Sequence, residues 1–149
     1  MLEQFDKKIS DVRKRFNLSL AQFGSLAGAP AVTVKRWESG VKPQQHFMFQ
    51  VILVLGLIDD PDEVFYDLGR QGILIDKKHW EGFAGLVKAT QISIDTAAEI
   101  NLPFPDVGSA LVAGISGLLS LIAAAFAAKN KLGEKASSFF ATRTAQFLK

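Results

Sequence analysis

LSLAQFGSLAGAPAVTVKRWESG, residues 18–40, reads as two short helices joined by a tight turn. Ser19 is placed to cap the first helix, and Gln22 three residues on completes a capping box. Leu20, Phe23, Leu26 and Ala27 then follow at helical spacing. Gly28 supplies the backbone freedom a sharp turn needs. Pro30 suits the first turn of a second helix running to about Glu38, because its missing N–H costs nothing there. Val34 and Trp37 fall on one face of that helix, Lys35 and Arg36 on the other, and Gly40 stands where a C-terminal cap belongs. A buried first helix, a glycine turn and a second helix with a basic outer face form the pattern of a helix-turn-helix that reads DNA.

The same residues resemble the Cro/C1-type helix-turn-helix of phage repressors and bacterial regulators. The specific part is T-V-x-R-W-E-S-G at residues 33–40, with L-S-x-x-x-F upstream at residues 18–23, and the likeness covers roughly residues 5–58. It implies a five-helix head over residues 1–68 that binds double-stranded DNA as a dimer. Ala31, Val32 and Arg36 would then meet base edges, with Thr33 and Lys35 nearer the backbone, and Lys42 would also contact DNA. It also implies an ion pair between Arg13 of the first helix and Glu38. Two positions depart from the family. Leu20 stands where a phosphate-binding Gln is usual, and Ala31 and Val32 stand where polar residues are usual.

The net charge of +2 conceals three blocks. Residues 1–44 carry +4, residues 45–106 carry −6 and residues 107–149 carry +4. A basic head suits a phosphate partner, and an acidic middle is expected to face away from it. The 149 residues are enough to bury a substantial core. There is no cysteine, which removes disulfides and thiolate metal sites and fits a cytoplasmic setting. MLEQFDKKIS has no apolar signal-peptide core, so Sec-type export is not expected.

Outside the central motif, the pattern is helical throughout, and the expected fold class is all-α. Phe5, Ile9, Val12 and Phe16 place a first helix over residues 3–16, with Lys7, Lys8, Lys14 and Arg15 off its apolar stripe. Lys42 and Pro43 are expected to open a helix whose core, FMFQVILVLGLI at 47–58, is apolar on nearly every side and must be covered twice. Asp59, Asp60, Asp62 and Glu63 then cluster. Asp60 as cap, Pro61 in the first turn and Glu63 third explain them better than a metal site, and no calcium-loop pattern is present. That helix is expected to end at Leu68–Gly69. Asp76 caps another over about 77–90, with Trp80, Phe83 and Val87 inward, and a short helix is expected over 93–100. Residues 69–106 thus read as a helical connector closed by the prolines at 103 and 105.

Residues 107–128, VGSALVAGISGLLSLIAAAFAA, contain no charge and have the length of a transmembrane helix. Leu111, Ile115, Leu118, Ile122 and Phe126 form a bulky stripe; Ser109, Ala113, Ser116, Ser120, Ala124 and Ala127 form a small one. Basic residues at 129, 131, 135, 143 and 149 follow, which opposes a simple span behind a cytoplasmic head. Two covers therefore stay open for this segment: protein, in an oligomer or against a partner, or lipid. A last helix over 134–148, after a turn at 130–133, is expected to fold back on the bulky stripe.

His46 and His79 are isolated, and there is no Walker loop or Rossmann glycine fingerprint. No cofactor, metal or catalytic activity is expected. The leading expectation is a DNA-binding regulator acting by occupancy and oligomerising through residues 107–149. The alternatives are a membrane-associated or structural assembly protein whose head binds protein, as Leu20, Ala31 and Val32 suggest, and an antitoxin-type regulator whose C-terminal half masks a toxin.

Overall fold

Side-chain capping sets three of the helix starts. In the computed structural model, which describes residues 5–103 and 105–127, seven helices and no strands are found among those residues. They are α1 (Phe5–Arg15), α2 (Leu20–Ala27), α3 (Ala31–Glu38), α4 (Gln45–Asp59), α5 (Pro61–Arg70), α6 (Lys77–Glu99) and α7 (Gly108–Ala127). At α2 the Ser19 hydroxyl accepts from Gln22 N–H at 3.0 Å, and the Gln22 side chain accepts from Ser19 N–H at 2.8 Å. At α5 the Asp60 carboxylate accepts from Glu63 N–H at 3.2 Å, with Pro61 in the first turn. At α6 the Asp76 carboxylate accepts from His79 N–H at 3.2 Å. Each cap satisfies a backbone donor that the helix cannot pair internally.

Four boundaries differ from the sequence expectation. Pro30 lies just outside α3, extended at ψ 155°, and its carbonyl accepts from Thr33 and Val34 N–H. Residues 41–44 are not helical, so α4 begins at Gln45 rather than at Lys42–Pro43. The residue before a proline is pushed out of the helical region, which accounts for the delay. α5 continues through Gly69 to Arg70, and the left-handed turn is made by Gly72 at φ 76°. Arg70 pairs with the buried Asp67 at 2.6 Å and supports that last turn. α6 is one helix of 23 residues, not two. No glycine or proline interrupts residues 86–102, and Gln91 Nε2 donates to the Ile58 carbonyl, anchoring the stretch where a break was expected.

Buried apolar residues from all seven helices form one cluster. Residues 51–58 of α4 are buried all round, as their unbroken apolar run requires. The bulky stripe of α7 is buried too: Leu111, Ile115 and Leu118 are inaccessible, and Ile122 and Phe126 nearly so. Helices α6, α2 and α4 pack against α7. The expected helix over 134–148 and the turn at 130–133 lie outside the described residues. The small stripe of α7 is exposed. By length and composition α7 is able to cross a membrane, yet its large side chains are spent on the protein core.

Close approach of α6 and α7 depends on glycine. A β-carbon on Gly114 would lie 3.0 Å from Val87 Cγ2, and one on Gly117 would overlap the Phe83 ring. Phe83 therefore fills a notch cut at Gly117. Gly117→Val is expected to cost about 1–3 kcal/mol by overpacking. Adding Phe83→Ala should return part of that loss, which a urea-denaturation cycle over the four variants would measure.

Candidate nucleic-acid interface

Helix α3 is amphipathic in the sense needed to present side chains outward from a fixed base. Val34 and Trp37 are buried at 0% and 3% exposure, and Trp37 meets Phe47 edge-on at a centroid distance of 5.5 Å. Lys35 and Arg36 point to solvent and form no ion pair among the described residues. Val32 is 60% exposed; Ala31 and Thr33 are half-exposed beside it. Lys42, in the segment after α3, is exposed. The six positions expected to face a nucleic acid are thus all accessible, and all lie on α3 or the segment following it.

Three interactions fix the orientation of that helix. Arg13 Nε and Nη2 donate to the two carboxylate oxygens of Glu38 at 2.9 and 3.2 Å. Its remaining nitrogen, Nη1, donates to the Leu18 carbonyl at 3.0 Å. One guanidinium therefore joins α1, the turn before α2 and the end of α3, using the planar fork that lysine lacks. The α2–α3 turn closes through Gly28 at φ 74°, with Ala29 N–H donating to the Gly24 carbonyl at 2.9 Å. Gln50 Nε2 of α4 donates to the Leu26 carbonyl at 2.7 Å, pairing an acceptor left open at the end of α2.

Gly24 and Gln50 were not singled out from sequence. Gly24 carried a signal, a small residue four before Gly28 inside an apolar helix. Gln50 carried none, because its partner is 24 residues away. Leu20, where the resembled family places glutamine, is half-buried and packs against the core.

Two further ion pairs join elements: Arg15 with Asp95 at 3.3 Å and Lys88 with Asp62 at 2.5 Å. His46 stacks on Phe47 at 4.0 Å, and His79 lies 3.8 Å from Asp76. Among the described residues no group of three or more His, Asp or Glu side chains is placed to hold a metal ion. No protein-family model matches the chain, and comparison with curated proteins and with solved structures finds no match.

Proposed function

We propose that the N-terminal five helices form a Cro/C1-type helix-turn-helix head that binds double-stranded DNA, and that the protein regulates transcription in the cytoplasm by occupying its site. The observation that carries this reading is the unpaired basic edge of α3, Lys35 and Arg36, held outward by the Arg13–Glu38 pair and the Gly28 turn. Helix α3 enters the major groove. Arg36 donates its fork to guanine O6 and N7, and Ala31 and Val32 offer apolar contact to thymine methyls. Thr33, Lys35 and Lys42 meet phosphates, while α2 crosses the backbone with its N-terminus toward a phosphate. Copies assemble through the C-terminal helices, setting recognition helices one DNA turn apart.

The test is selection of binding sites from a random duplex library, followed by titration of variants. Arg36→Ala should lose about 1–3 kcal/mol on the selected site and relax preference at one base pair. Lys35→Ala should weaken all sequences alike and lower the salt slope by about one. Failure of the wild-type chain to enrich any duplex would end the DNA reading. A second reading, a head that binds protein, is favoured by the 60% exposure of Val32 at the front of α3. The length and apolarity of α7 keep membrane association as the setting for that reading.

A further inference from the structure

Helices α6 and α7 each bury one edge in the core and expose the opposite edge. On α6 the exposed edge reads Gly82, Leu86, Ala89, Ser93, Thr96 and Ile100. On α7 it falls at positions 109, 113, 116, 120, 123 and 127, all serine or alanine and all exposed. Both lines repeat with spacings of four and three, the heptad period that one helix presents to another. They run side by side, with Leu86 at the seam: its Cβ lies 3.2 Å from where a β-carbon on Gly114 would stand. Neither line holds a charge, and Leu86 and Ile100 are 40% and 59% exposed within it.

The face has the size and the neutrality that a symmetric pair requires. Helix α7 has 20 residues, which is about 30 Å of helix. Two helices packed about 8–10 Å apart present a face roughly 20 Å wide. That is roughly 600 Å² per copy and roughly 1,200 Å² in a pair, the lower bound for a stable interface. A two-fold contact sets a patch against itself, so any charge on it meets its like. This patch carries none. Lipid is the poorer cover. Helices that lie in a membrane surface insert bulky aromatic and leucine side chains, whereas this face offers mainly glycine, alanine and serine. Glu81, Lys88, Asp95 and Glu99 also run along its flank, about a quarter-turn round α6, and all are exposed. Lys88 and Asp95 are tied there to Asp62 and Arg15.

Resting on the reading above, in which copies assemble through the C-terminal helices, we propose that this α6–α7 face is where a second copy of the chain docks. The pair forms a four-helix bundle about a two-fold axis and joins two heads.

The test is sedimentation equilibrium of the full chain without DNA. The wild type should have the mass of two chains. Ala113→Glu and Ser116→Glu alter exposed positions, so circular dichroism should show an unchanged fold. Each should raise the dimer Kd about a hundredfold, since symmetry brings the new carboxylates together. Ala113→Leu should raise it about tenfold by overpacking the seam. Tyr66→Glu, at an exposed position on α5, should leave it unchanged. A monomeric wild type overturns the proposal, and flotation of that monomer with phosphatidylcholine–phosphatidylglycerol vesicles would assign the face to lipid. A dimer that persists in both glutamate variants places the contact elsewhere and overturns it as well. So does equal dissociation of Tyr66→Glu, or tighter self-association of Ala113→Leu, because a generic surface effect would then be acting. The DNA reading fails separately. A dimer that enriches no duplex keeps this face and ends that reading, and a monomer that enriches one does the reverse.

Discussion

Gly24→Val should destabilise the protein by about 3 kcal/mol, the upper end of overpacking costs, and weaken the DNA binding proposed for α3. Gly24 is buried in α2, where the chain doubles back toward α3. A β-carbon there would overlap the Ala29 carbonyl oxygen and lie 3.5 Å from Val34 Cγ2. The first contact is backbone, and that backbone is held: Ala29 N–H already donates to the Gly24 carbonyl at 2.9 Å. Relief requires moving the turn, and α3 follows the turn. Lys35 and Arg36 would then leave the positions set by the Arg13–Glu38 pair. A loss of that size in a domain this large lowers the melting temperature by roughly 10 °C. Gly69→Ala is the matched control. Nothing lies within 4 Å of a β-carbon at Gly69, and the residue is helical and exposed. Alanine there should stabilise by about 0.5–1 kcal/mol, through the entropy that glycine loses on folding. Thermal melts of the two variants should move in opposite directions. A Gly24→Val protein that melts with the wild type would mean the α2–α3 turn is not fixed as described.

What could be read from the residues alone was the chemistry that acts over one helical turn. Ser19 with Gln22, Asp60 with Glu63, and Asp76 each announce a helix start within four residues. The inward and outward faces of α3 follow from a period of 3.6, which places Val34 and Trp37 together and Lys35 and Arg36 apart from them. The contact between Arg13 and Glu38, 25 residues apart, was reachable only through the family resemblance. Helix α6 shows the converse. Residues 77–90 and 93–100 were expected as two helices, and Thr90 and Ile92 at the junction have weaker helical preference than their neighbours. The Thr90 hydroxyl donates to the Val87 carbonyl, and Gln91 is tied to α4. Packing therefore overrides a small local deficit. A bulky stripe states that a face is buried, not which element buries it. The close approach of Gly114 to Val87 and of Gly117 to Phe83 makes α6 a principal partner of α7, with α2 and α4.

Trp80→Ala is expected to cost about 3–5 kcal/mol, the largest loss from any single truncation in the α5–α6 half of the core. Trp80 has the greatest volume of the fully buried side chains, at 1% exposure. Its ring lies 5.3 Å from that of Phe65, so α5 and α6 meet across this aromatic pair. The indole Nε1–H, however, has no hydrogen-bond partner among the described residues. A buried donor left unpaired costs about 1–3 kcal/mol, which the packing of the ring must outweigh. The two contributions separate in Trp80→Phe. Phenylalanine keeps one aromatic ring against Phe65, gives up the volume of the second ring and removes the unpaired donor. Its net loss should therefore fall well below that of alanine, and a near-neutral result is within reach. Urea denaturation of the two variants gives the comparison, with an unchanged slope showing that the unfolded states are alike. Equal losses for phenylalanine and alanine would mean that Nε1–H is paired in solution. The indole would then hold α6 by a polar contact as well as by packing.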